Sequence, residues 1–184
     1  MIKLPTKNTE TASFRLDSDN LEKLKKEAEE NDLSLNQLVN QLISNHVNFR
    51  SGAKPAGFMP MPKPVLIRMM EKVSEEEARE IGREHAEKDS ESILSVLRND
   101  YNVDYFLETI EYWVKDSGFS LRHDVEKDIH KYVIQHDIGK NWSLYMLEFI
   151  TRVIEKTTER KVEAKITDKT VSFSIDKSKV VDSN

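Results

Sequence analysis

Residues 11–47 read TASFRLDSDNLEKLKKEAEENDLSLNQLVNQLISNHV. Three patterns follow one another. Ala12-Ser13-Phe14-Arg15-Leu16 alternates, which puts Ala12, Phe14 and Leu16 on one face of a strand and Thr11, Ser13 and Arg15 on the other. Asp17-Ser18-Asp19 offers an N-cap, and a helix over 21–30 follows with Leu21, Leu24 and Ala28 at core spacing. The pattern breaks at Asn31-Asp32. Ser34 then caps a second helix over 35–47, whose apolar stripe is Leu35, Leu38, Val39, Leu42, Ile43 and Val47. A strand and two helices of this length are too little chain to bury a core alone. The simplest partner is a second copy of the same segment.

The alternating strand, the fragment Ala28-Glu29-Glu30-Asn31 and the turn Leu33-Ser34-Leu35-Asn36 resemble the ribbon-helix-helix family of DNA-binding proteins, the Arc and MetJ type. The resemblance implies a homodimer whose two strands pair antiparallel and enter the major groove of double-stranded DNA. Carried over by position, Thr11, Ser13 and Arg15 face the bases. Ser34, Leu35 and Asn36 hold a phosphate through the backbone amides of the second helix. Ala12, Phe14, Leu16, Leu24, Leu38 and Leu42 form the dimer core. Elementary chemistry agrees: a two-stranded ribbon fits the groove, arginine can pair bidentately with guanine, and a helix N-terminus favours an anion.

Composition limits the rest. The chain has 184 residues and 38% hydrophobic content, enough for one or two small domains. It has no cysteine, so disulfides, thiolate metal sites and a cysteine nucleophile are excluded. No long apolar run or secretory leader is present, and a cytoplasmic location is expected. Net charge is −5, and residues 1–50 carry seven Lys or Arg against eight Asp or Glu. DNA binding must therefore rest on a local surface and on repeated copies, not on global charge.

The predicted organisation is a flexible arm (1–10), the DNA-binding domain (11–49), a Pro/Gly linker (50–64), an α+β domain (65–176) and a tail (177–184). In the linker, Phe58, Met59 and Met61 can dock on a neighbouring surface. Pro64 opens a short helix over 65–72. Ser74-Glu75-Glu76-Glu77 is a capping-box signature for a helix reaching towards Arg98, with a bend or end at Asp89-Ser90. A further helix starts at Asn102 or Asp104 and stops at Gly118. Residues 119–136 read as a hairpin, with a helix over 124–135 as the alternative. The helix over 141–156 has the strongest apolar stripe. Glu148, Thr151, Arg152 and Glu155 form its wet side. Alternation at 162–166 and 171–175 about Asp168-Lys169 is a second hairpin. The fold class is α+β, with leading helices and an antiparallel β-β-α-β-β unit. That topology resembles small-molecule sensor domains of the vinyl-reductase and haem-nitric-oxide type.

Function is read as a prokaryotic-type transcriptional regulator, with the second domain sensing an effector or joining dimers. The rivals are an antitoxin and an interaction scaffold that does not bind DNA. No P-loop, dinucleotide fingerprint, nucleophile elbow or HExxH motif is present, so no enzyme activity is expected. No cofactor or metal is expected either; the effector, if there is one, is not specified. Nickel-sensing members of the resembled family carry a metal-binding second domain, but their closely spaced histidines and cysteine are missing here. The histidines in question are His123, His130 and His136. On one strand, His130 and His136 would stand roughly 20 Å apart, whereas His123 can meet either across a hairpin. Tyr101, Tyr105, Phe106, Tyr112, Trp113, Trp142 and Tyr145 fall at or near inward faces and either line a pocket or fill the core.

Overall fold

The computed structural model describes residues 9–98 and 100–178, so most of the expected arm and tail lie outside the described residues. The chain divides into two compact units, Met1–Ser44 and Asn45–Asn184.

In the first unit, α1 (Ser18–Glu30) starts where the Asp17 carboxylate accepts from the amides of Asp19 and Asn20. It ends at Asn31, and Asp32 turns the chain with φ +54°. Helix α2 starts at Leu35 under a reciprocal cap. The Gln37 amide donates to Ser34 Oγ at 3.2 Å, and the Ser34 amide donates to Gln37 Oε1 at 2.9 Å. Residues 9–17 form neither helix nor ladder, so the strand expected at Ala12–Leu16 is not formed within one chain. The reason is physical: a strand needs a partner for its amides and carbonyls, and this segment has none in its own unit. Only Ala28 and Leu38 are buried among residues 9–44.

Helical backbone does not stop at Val47. Helix α2 (Leu35–Asn45) is followed by a π turn (His46–Arg50) and by α3 (Ser51–Ala53). The expected linker therefore shrinks to residues 54–62. Tertiary contacts override the polar, glycine-containing sequence here. Phe49 is buried edge-on against Phe58, and Asn45 and Arg50 both donate to the Asp116 carboxylate.

The second unit continues with α4 (Lys63–Met70) and α5 (Glu75–Glu84), the latter under the expected Ser74–Glu77 capping box. A π turn at His85–Asp89 separates α5 from α6 (Ser90–Arg98), and α7 (Val103–Asp116) follows under an Asn102 cap. Next come β1 (Ser120–Glu126), β2 (Ile129–Gln135), α8 (Lys140–Thr158), β3 (Glu163–Ile166) and β4 (Thr170–Asp176). Residues 119–136 thus resolve as a hairpin, and the helical alternative falls. The sheet is antiparallel with order β1-β2-β4-β3.

Pleating puts Leu121, Ile134, Val171 and Ile166 in one cross-strand row, and His123, Tyr132, Phe173 and Ala164 in the next, on one face. That face packs with α7 and α8 in the main core. The opposite face carries Arg122, Asp124, Lys131, Glu163 and Lys165, all exposed. The far side of α8 is covered as well, by α5. Glu148, expected to be wet, receives the Arg79 guanidinium at 2.8 Å and lies 3.8 Å from that of Arg83. No described helix is long and apolar enough to cross a membrane.

Candidate functional site

Each unit presents one candidate surface. In the first unit, Thr11, Ser13 and Arg15 are exposed, as the DNA reading requires of groups that face bases. Their neighbours on the other side of the alternation are also uncovered: Phe14 is 71% exposed and Leu16 52% exposed. Leu42 and Ile43 on α2 are exposed too, while Leu24 is half-buried and Leu38 buried. At the start of α2, Ser34 and Asn36 are exposed and Leu35 is half-buried. The reciprocal cap occupies the Ser34 amide, which leaves the first-turn amides of Leu35 and Asn36 without intrahelical acceptors. The cap was readable in Ser34-Leu35-Asn36-Gln37 from the Gln three residues after the Ser.

In the second unit, a cavity of about 200 Å³ opens between α6, α7 and α8. The spacing of Phe106, Thr109, Ile110 and Trp113 along α7 puts all four on one face, and Trp142, Tyr145, Met146 and Phe149 do the same on α8. Ser90, Ile93 and Leu94 close it from α6, His85 from the π turn, and Phe58 from the shortened linker. Of the seven aromatic residues expected at inward faces, Phe106, Trp113, Trp142 and Tyr145 line this space. Tyr101 lies elsewhere, its hydroxyl 3.2 Å from Ser90 Oγ and its ring beneath Lys156. Tyr105 is exposed, and Tyr112 carries Arg98 over its face. Sequence patterning did not single out Thr109.

No Asp, Glu, Lys or Arg lines the cavity. His85 Nδ1 lies 2.6 Å from the Tyr145 hydroxyl, and the His85 ring stacks on Phe149. Burial holds the His85 pKa below its ordinary value and pushes the Tyr145 pKa up, so both rings are neutral near pH 7. Two polar atoms on lining residues are buried without a hydrogen-bond partner: Thr109 Oγ1 and the Trp142 indole nitrogen. A larger recess of about 720 Å³ lies beside the cavity and shares Phe58, Trp113 and Trp142 with it.

The histidines separate into two places. His123 and His130 meet across the β1–β2 hairpin, Nε2 to Nδ1 at 2.9 Å, and His123 Nδ1 lies 3.1 Å from Glu111 on α7. Both nitrogens of His123 are therefore engaged by protein groups. Among the described residues, no group of three His, Asp or Glu is placed to hold a metal ion. His136 does not join them. It is fully buried beyond the end of β2, where its Nδ1 accepts from the Ile138 amide and its Nε2 donates to Ser143 Oγ at 2.9 Å. Burial lowers its pKa to about 4. Comparison of the chain with protein-family models, curated proteins and solved structures returned no match.

Proposed function

We propose that the chain is a DNA-binding transcriptional regulator. Two copies of the first unit pair through the strand at Ala12–Leu16 and place Thr11, Ser13 and Arg15 in the major groove. The observation that carries this reading is the exposure of apolar groups in the first unit. A segment with two buried residues and uncovered Phe14, Leu16, Leu42 and Ile43 has the surface of half a dimer. The resemblance to ribbon-helix-helix proteins supplies the DNA, and the first-turn amides of α2 supply a phosphate contact. The second unit senses an effector or joins dimers. Sedimentation of the full chain, with and without operator-length duplex, tests the pairing. A concentration-dependent dimer is expected; a monomer at all accessible concentrations would contradict it.

A second reading has one observation in its favour. The near-balance of charge in residues 1–50 suits an interaction scaffold that does not bind DNA. A salt titration separates the two: the regulator loses affinity for duplex DNA steeply as salt rises, whereas the scaffold shows no affinity to lose. The antitoxin reading is less well supported, because such proteins carry tails that order only on binding, whereas the second unit has its own sheet and core.

A further inference from the structure

The sheet order β1-β2-β4-β3 leaves β1 and β3 at its edges. An edge strand turns a row of backbone amides and carbonyls to solvent, and native proteins blunt it with a short strand, a proline, a bulge, charges or a covering element. Strand β3 has four residues, whereas β1 pairs over all seven of its residues, with no proline and no break in register. Every residue of β1 except Leu121 is exposed. His123 is exposed although only 26% of its side chain is, so its backbone is open. The two-residue turn Lys127-Asp128 makes Glu126 and Ile129 a hydrogen-bonded pair. By alternation Arg122 and Asp124 also bond to β2, while Leu121, His123 and Val125 aim their amides and carbonyls outward. The same alternation along β2 carries the His136 amide to the Lys169 carbonyl, on the β4 side.

We propose that β1 pairs antiparallel with β1 of a second copy of this chain, about a two-fold axis at His123, so that two second units share one continuous sheet. In that register the outward residues meet in full: Leu121 faces Val125, His123 faces His123, and Val125 faces Leu121. Arg122 then stands directly opposite Asp124 of the second copy, on the outer face of the sheet. Sliding one strand by two residues, the smallest shift that keeps outward groups together, sets Arg122 against Arg122 or Asp124 against Asp124. Like charges directly opposite are destabilising, so the register with the most backbone pairing is also the one that the charges select. The charges of β1 thus match a second copy instead of repelling it. Val125, 57% exposed on the face that packs the core, gains Leu121 of the second copy as a neighbour. The His123 ring is engaged within its own unit, by Glu111 and His130, and leaves the edge free. The proposal specifies how the second unit joins copies and rests on the proposed function only for any consequence at DNA.

The chain has no cysteine, so two single substitutions report the register. Full-length Arg122→Cys and Asp124→Cys are mixed in equal amounts and oxidised in a glutathione buffer without DNA. Directly opposite residues of a non-hydrogen-bonded pair stand about 4.5 Å apart at Cα, within disulfide reach. The mixed disulfide is expected to form well beyond its statistical share. Pairing through the first unit alone gives no such preference, so failure here leaves the DNA reading standing, and failure of the DNA reading leaves the edge pairing standing. Charge exchange is the second measure. In full-length chains carrying Phe14→Ala, which weakens pairing of the first units, Arg122→Asp should weaken association about tenfold. Adding Asp124→Arg should restore it. Both positions are exposed on the outer face, so these variants leave the core intact. A statistical mixture of disulfides, association unchanged by Arg122→Asp, or no recovery in the double variant would each overturn the proposal. A monomer at every concentration would do so too, and would leave the edge to a strand from another protein.

Discussion

Gly82 on α5 lies so close to the main-chain carbonyl of Tyr145 on α8 that a methyl group at its Cα would overlap the oxygen. The missing side chain lets α5 settle on α8 and bring Arg79 to Glu148. In an exposed helix, Gly→Ala stabilises by about 1 kcal/mol. Here the obstacle is backbone, which cannot rotate aside, and overpacking costs about 1–3 kcal/mol. Gly82→Ala is therefore expected to lower stability despite its better helix propensity. Urea unfolding monitored at the tryptophans measures it; a gain in stability would show that the α5–α8 contact is loose.

Thr109→Val should act in the opposite direction. The threonine hydroxyl is buried and unpaired, and valine keeps the shape without the desolvation cost. A gain of about 1 kcal/mol is expected in the ligand-free protein. Thermal unfolding tests this, and an unchanged or lower midpoint would mean that the hydroxyl is satisfied in solution.

His136 makes stability depend on pH. Its folded pKa is about 4 against an ordinary 6.5, because burial outweighs the opposing influence of Asp137. Above pH 6.5 both folded and unfolded forms are neutral. As pH falls below that value, the unfolded chain takes up a proton that the folded chain refuses, so stability is lost down to about pH 4. The slope approaches about 1.4 kcal/mol per pH unit. His85 and His130, whose pKa values are also lowered chiefly by burial, act with the same sign. The stability difference between pH 7 and pH 5 should be smaller in His136→Gln than in the parent. Equal differences would remove His136 from the account.

Phe14→Ala tests the pairing surface. The ring is exposed in one chain, so its loss should leave the second unit's unfolding unchanged. If the ring sits at the centre of a dimer interface, truncation costs about 2 kcal/mol or more, roughly a thirtyfold weaker dimer. Sedimentation equilibrium measures this, and an unaltered dissociation constant would place the interface elsewhere.

The sequence made local structure legible where the pattern was self-contained. The β3–β4 hairpin followed from alternation about Asp168-Lys169, the start of α5 from Ser74 and Glu77, and the buried face of α8 from its apolar stripe. What it hid depends on distant partners. The helical backbone at Phe49–Ala53 is held by Phe58 and Asp116, far from what local propensity can report. The covered outer face of α8 required knowing that Gly82 would let α5 approach. Aromatic positions left a pocket and a filled core as alternatives, and the cavity itself emerges only where several elements meet. The segment Ala12–Leu16 is the reverse case: its alternation is plain in sequence, yet it forms no strand, because one chain offers it nothing to pair with.

The most direct test of the central claim is selection of bound sequences from random duplex DNA, using the full chain and Arg15→Ala in parallel. The account predicts a two-fold symmetric motif enriched by the parent chain. It also predicts loss of that motif in Arg15→Ala while the variant still sediments as a dimer, since Arg15 is exposed and contributes no core packing. No enrichment by the parent chain, or the same motif recovered by Arg15→Ala, would contradict it.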